Sequence, residues 1–149
     1  MTMELKPLGR MLVYPIRAIR HAGPLTIRTA AELGSVDWQS DLLGKVTMEI
    51  GMGSYLMGPT AGHVTVRLSL VTQEGEPFFF QYISVGEMEG HIAGKSPIWL
   101  SGQVEIDPAS RHEWLNRVQL VGRGMFTHDP LCQAYDMAYL GDGPDIPSA

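Results

Sequence analysis

Between His63 and Val85 the chain alternates apolar and polar residues on both sides of Glu74-Gly75, and this pattern constrains the fold more than any other stretch. Alternation with a period of two is the signature of a strand, and two such runs around an acidic-Gly pair make a hairpin. A two-residue turn at Glu74-Gly75 sets Val71 opposite Phe78, Ser69 opposite Phe80, Arg67 opposite Tyr82 and Thr65 opposite Ser84. The other face then carries Val64, Val66, Leu68 and Leu70 against Phe79, Gln81, Ile83 and Val85, and reads as core.

Elsewhere 17 glycines and 10 prolines divide the chain into short apolar runs spaced for strands rather than helices. Strands are expected over Met11–Ile19, Leu25–Thr29, Lys45–Ile50, Ile98–Ile106, Arg117–Val121 and Ala134–Leu140. Pro15 removes a backbone donor, so the first must lie at an edge or contain a bulge. One short helix is expected from Pro108 to Leu115, with Asp107 as N-cap. About eight antiparallel strands and hardly any helix leave a barrel or a sandwich, and the barrel is preferred because closure removes exposed edges. The expected architecture is one all-β, roughly eight-stranded barrel domain over residues 1–140, followed by a flexible tail, 141–149, of Gly, Pro, Asp and Ser.

With 149 residues, 44% of them hydrophobic, the chain can bury a core without staples. A net charge of −5 and no clustered basic run argue against nucleic acid as a partner. Cys132 is the single cysteine, which excludes an internal disulfide and any CxxC site. The first residues lack a signal-peptide pattern and no stretch has the length of a membrane span, so a soluble, cytoplasmic protein with no membrane partner is expected. His21, His63, His91, His112 and His128 are too scattered for a zinc motif, and the sequence has no P-loop, dinucleotide fingerprint or nucleophile elbow. No metal and no cofactor are expected.

The segment Trp114-Leu115-Asn116-Arg117 followed by Leu120-Val121-Gly122 resembles the bacterial domain-of-unknown-function 3237 family, with its Trp-Leu-Asn signature and apolar strand ending in glycine. Val66-Arg67-Leu68-Ser69-Leu70 before Glu74-Gly75 is similar to that family's arginine-bearing strand, and Asp37-Trp38-Gln39 is similar to its Asp-Trp-Gln. Glu105 matches a glutamate upstream of Trp-Leu-Asn if one extra residue intervenes, while Trp99 and Gln103 stand near places where the family carries arginines. The resemblance implies a barrel like that of allene oxide cyclase.

Arg67 beside Tyr82 is the most chemical pair, because a fixed guanidinium next to a phenol binds a carboxylate or polarises a carbonyl. An ordinary cross-strand contact is the plainer alternative. Phe78 and Phe80 on the same face call for cover by a ligand, a partner subunit in a homo-oligomer, or the chain itself. Asp37 and Glu105 are the candidate proton carriers, since a desolvated carboxylate has a raised pKa, with a turn cap and a solvated strand residue as the alternatives. His91 is a candidate acid or base on a Gly-rich loop, Gly86–Gly94, placed to act as a lid. Trp38, Phe80, Trp99 and Asn116 are the candidate substrate contacts, Asn116 alternatively binding backbone near Trp114. Met48, Met52 and Met57 offer an adaptable lining or core filling. The function expected is a cofactor-independent lyase, isomerase or cyclase for a small apolar carbonyl or aromatic compound held in the barrel. The alternative is a non-catalytic binding protein for such a ligand.

Overall fold

A computed structural model of the chain describes residues 3–144. Its strands are β1 (Lys6–Ala22), β2 (Ile27–Ser40), β3 (Gly44–Met57), β4 (Gly62–Val71), β5 (Pro77–Gly86), β6 (Ile98–Ile106), β7 (Gln119–His128) and β8 (Leu131–Leu140). Each pairs antiparallel with the next, and β8 returns to β1 to close an eight-stranded barrel. The all-β barrel expected from the alternation is the fold. β6 shows the rule most simply: Ile98, Leu100, Val104 and Ile106 are buried inside, whereas Trp99, Ser101, Gln103 and Glu105 are exposed outside. The register of β1 on β2 shifts on either side of Pro15, the bulge that a missing donor requires.

The β4–β5 hairpin differs from expectation by one residue. Val71 pairs with Pro77, Leu70 with Phe78, Val66 with Tyr82 and Arg67 with Gln81. The Thr72 amide donates to the Glu76 carbonyl at 2.9 Å, so three residues, Gln73 to Gly75, form the loop. Gly75 has φ +88°, and Glu74 is not left-handed. A two-residue I′ turn needs positive φ at both central positions and a II′ turn needs glycine first; Glu74 satisfies neither, so the chain uses a three-residue loop ending in a left-handed glycine. Because the side-chain period is two, this slip reverses the faces of β5 relative to β4. Phe78, Phe80, Tyr82 and Ser84 join Val64, Val66, Leu68 and Leu70 inside, and Phe79, Gln81, Ile83 and Val85 face outward.

The helix expected at Pro108–Leu115 does not form. Asp107 does accept a hydrogen bond from the Ala109 amide at 2.8 Å, but the chain makes only turns and then one 3-10 turn, Glu113–Arg117, which buries Trp114 and Leu115. Asn116 explains the shortness. Its side chain accepts from the Ile106 amide at 2.8 Å and donates to the Ile106 carbonyl at 2.9 Å, replacing a strand partner and pulling the turn onto the end of β6. The one α-helix among the described residues, α1 (Met88–Ile92), lies instead in the Gly86–Gly94 segment. Of the expected tail, residues 145–149 lie outside the described residues. Its beginning packs closely: a Cβ on Gly143 would meet the rings of Tyr139 and Trp114 below 3 Å. No helix among the described residues is long and apolar enough to cross a membrane.

Candidate functional site

The barrel interior is filled almost wholly by side chains, but the two ends are filled differently. Toward the Gln73–Gly75 turn the packing is aromatic and aliphatic. Trp38 stacks against Phe80 with centroids 5.8 Å apart, Phe80 lies 5.2 Å from Tyr82, and Trp114 lies 5.0 Å from Tyr139. Trp38 Nε1 donates to the Leu8 carbonyl at 2.8 Å, so its polar atom is satisfied.

Toward α1 the interior becomes polar. Tyr135 is fully buried, and its hydroxyl lies 3.1 Å from Ser84 Oγ and 3.5 Å from Gln133 Oε1. The Gln133 amide nitrogen lies 3.2 Å from His91 Nε2. An amide nitrogen only donates, so in this orientation Nε2 is the acceptor and the imidazole proton resides on Nδ1. His91, in the last turn of α1, is itself fully buried, edge-on to Phe126 with centroids 5.5 Å apart. The row Ser84, Tyr135, Gln133, His91 thus links β5, β8 and α1 across the lumen. Glycines make room for it: a Cβ on Gly124 would approach the Tyr135 ring within 2.5 Å, and one on Gly102 would approach the Tyr82 Cβ within 2.6 Å.

Tyr82 stands beside this row, edge-on to Tyr135 at 5.8 Å. Its hydroxyl is buried and makes no hydrogen bond of normal geometry, only a weak contact with the Tyr135 phenol; among the described residues the same lack holds for His91 Nδ1, which has the Ser96 backbone nearby, for Ser96 Oγ and, at the turn end, for His112 Nε2. Such atoms are uncommon, since a buried polar group without a partner costs about 1–3 kcal/mol. Burial, and then the neighbouring phenols of Tyr135 and Tyr55, hold the Tyr82 hydroxyl well above its usual pKa. Burial raises Tyr135 too, and pushes Tyr55 up to about 12. It pulls His91 down to about 4, against a smaller opposing effect of the Ser96 backbone. At neutral pH the whole cluster is therefore uncharged, and no Asp, Glu, Lys or Arg is buried among the described residues.

Above the cluster the mouth opens into a cavity of about 280 Å³ lined by Ala31, Tyr55, Met57, Phe126, Ile92 of α1 and Leu131, with Ile16 and Arg17 at the rim. Apart from Arg17, Thr29 and the Tyr55 hydroxyl the lining is apolar. Tyr55 belongs both to this cavity and to the surroundings of the buried Tyr82 hydroxyl, and Phe126 both to the cavity and to the surroundings of the His91 imidazole.

The residues singled out by sequence fall into two groups. Tyr82, Phe80, Trp38 and His91 point into the barrel, Tyr82 and His91 toward its polar end. Arg67, Asp37, Glu105, Trp99 and Asn116 do not. Arg67 lies outside in an open polar groove with Gln81, Gln103 and Gln119, on the opposite face of the sheet from Tyr82, because of the hairpin slip. Asp37 is half-buried on the outer face of β2 and accepts from Gln39 at 2.8 Å. Glu105 is exposed opposite Phe79. Trp99 is 54% exposed on the outer wall, with the Arg123 guanidinium 6.0 Å from its ring centre. Asn116 is committed to the Ile106 backbone. Of the methionines, Met57 lines the cavity, Met48 packs on the core and Met52 is exposed. Tyr135, Ser84, Gln133, Tyr55 and Phe126 were not anticipated as site residues. The available signal was Gln133, a polar side chain in phase with Tyr135, Met137 and Tyr139 on an otherwise apolar strand face.

No family model matches the chain, and no curated protein matches it either. Solved structures do. A conserved protein of unknown function from Rhodopseudomonas palustris superposes with a TM-score of 0.81 at 11% identity, covering 95% of this chain and 99% of that one. A β-barrel-like protein from Acinetobacter baumannii gives 0.76 at 18% identity, covering 95% and 98%. An enzyme from Penicillium herquei gives 0.69 at 11% identity, covering 92% and 96%. At these identities the likeness is one of fold.

Proposed function

We propose that the barrel binds a small, uncharged, largely apolar carbonyl compound at its α1 end and catalyses proton transfer next to the carbonyl, as a cofactor-independent isomerase, lyase or cyclase does. The observation that carries this reading is the buried Tyr82 hydroxyl, which faces only the Tyr135 phenol and makes no hydrogen bond of normal geometry, at the end of the lumen where Tyr55 borders a largely apolar cavity. A carbonyl oxygen is the acceptor that this donor lacks. The absence of a buried charge among the described residues selects a neutral oxygen over a carboxylate, whose desolvation nothing would offset. In this account Tyr82 donates to the oxygen and stabilises the developing enolate, with Tyr135 and Ser84 holding the polar row in place. His91 takes the neighbouring proton. Its low pKa keeps it unprotonated at neutral pH, and its Nε2 lone pair, held by Gln133 at rest, is released when the ligand enters beneath α1. The Penicillium herquei enzyme of the same fold is in keeping with catalysis on such a barrel.

The second reading is a carrier that binds the same compounds without turnover. The low pKa of His91 favours it, because a base that holds its proton so weakly is a poor acceptor of an α-proton. One pair of measurements separates the two. Cyclohexanone in deuterated buffer, followed by NMR, reports both binding and exchange of its α-protons. Catalysis predicts faster exchange with the native protein and loss of that acceleration in Tyr82→Phe and His91→Gln. Binding without faster exchange leaves only the carrier, and preference for cyclohexanecarboxylate over the ketone contradicts both.

A further inference from the structure

β1 is 17 residues long, yet it pairs with β8 only from Lys6 to Val13; from there to Ala22 it is held on one side by β2 alone. Every residue from Ile16 to Ala22 is exposed, so no described part of the chain covers the free side. The closed barrel therefore retains one open strand edge about seven residues long, whose alternate residues direct backbone N–H and C=O groups outward. Such an edge is a template for a further strand.

The charges indicate which strand fits. The projecting β1–β2 ribbon, residues 16–32, carries Arg17, Arg20 and Arg28 with Glu32 as the only acid, in a chain whose net charge is −5. Glu32 neutralises Arg17 at 3.2 Å and Arg28 hydrogen-bonds Ser54, whereas Arg20 has no hydrogen bond or ion pair among the described residues. Basic side chains on an edge oppose its pairing with a second copy of itself, because two such edges bring like charges together. They favour an acidic strand. We infer that the free edge of β1, Ile16–Ala22, is a docking site where an extended acidic segment of a partner protein adds a strand to the barrel wall. Ile16, Ala18 and Ile19 supply apolar contacts between the basic positions. Since Ile16, Arg17 and Ala18 also border the mouth cavity, the docked strand runs along its rim.

The test uses two fluorescein-labelled seven-residue peptides, one alternating Glu with Val and one alternating Lys with Val, titrated with the intact protein by fluorescence anisotropy. Saturable binding of the Glu peptide alone is expected, weakened about tenfold by high salt as exposed charge pairs are screened and weakened again by Arg20→Glu. Amide hydrogen exchange should slow within Ile16–Ala22 when the peptide binds. Absence of saturable binding, equal binding of the two peptides, or protection confined to another surface overturns the inference. So does light scattering that shows a dimer disrupted by Ile19→Lys, which would place a second copy on the edge. None of these outcomes depends on the lumen chemistry.

Discussion

Trp38, Phe80 and Leu70 at the turn end of the lumen touch other apolar side chains on every side, and the one polar atom of Trp38 has its acceptor. Tyr82, Tyr135 and His91 at the α1 end are buried as deeply, but in a polar row with an adjoining cavity and unpartnered atoms inside the lumen, whereas the unpartnered atom at the turn end, His112 Nε2, belongs to the corner that follows β6. Both ends are built by the same alternation on the same strands. Dense apolar packing is where such a barrel gains stability, whereas buried polar groups without partners forgo stability, and sites that act on ligands are where that sacrifice recurs. The two ends should therefore respond differently to equivalent changes.

The largest effect is expected at the turn end. Phe80→Ala removes a fully buried ring, and chemical denaturation should show a loss of about 3–5 kcal/mol. A loss below about 1 kcal/mol would mean that this end is loosely packed and the contrast with the α1 end is unfounded.

His91 gives the next effect, through pH. Burial lowers its folded-state pKa from 6.5 to about 4, so below pH 6.5 the unfolded chain binds a proton that the folded chain refuses. Stability is then complete above pH 6.5 and declines as the pH falls from there toward 4, by up to about 3 kcal/mol. His112 at the turn end is also lowered, by burial and by Arg111, and adds a decline of the same sign. The difference between native protein and His91→Gln isolates the α1 end: the variant should lose less stability on acidification. Parallel stability profiles would show that His91 is not desolvated as described.

Asn116→Ala removes both hydrogen bonds to the Ile106 backbone and should cost about 1–2 kcal/mol without altering ligand binding, because the Trp114 corner lies at the turn end. Altered binding would return Asn116 to the ligand contacts. The smallest effect belongs to the outer wall. Arg67→Lys should change stability by less than about 0.5 kcal/mol and leave ketone binding unchanged; a clear loss of binding would mean that the outer groove, not the lumen, is the site.

The barrel was legible in the sequence because alternation and turn residues are local. Val64, Val66, Leu68 and Leu70 declare an inward face in any register, and Pro15 declares its bulge. The pairing of Arg67 with Tyr82 was misread because register depends on a single residue in the loop. Glu74 carried the correction, being a residue that neither two-residue turn accepts at that place. Glu105 is the solvated strand residue that its sequence equally allows, and Asp37 lies within β2 rather than capping a turn, because a carboxylate's chemistry depends on which face it occupies and the outer face of a closed barrel is water. Tyr82 and His91 were legible as chemical residue types, but their setting was not. Ser84, Tyr135 and Gln133 come from strands distant in sequence, and only closure of the barrel and the placement of α1 bring them together.

Tyr82→Phe separates the claims most directly, because it removes one oxygen and no packing. Its hydroxyl makes no hydrogen bond of normal geometry and only a weak contact with the Tyr135 phenol, so thermal and chemical denaturation should show a stability change within about 1 kcal/mol. The same variant should lose the acceleration of α-proton exchange in cyclohexanone by on the order of a hundredfold, the usual cost of removing one oxyanion donor. Retained stability with lost exchange is the result predicted. A variant that is destabilised by several kcal/mol yet exchanges protons at the native rate would contradict the account, since Tyr82 would then be core and nothing more.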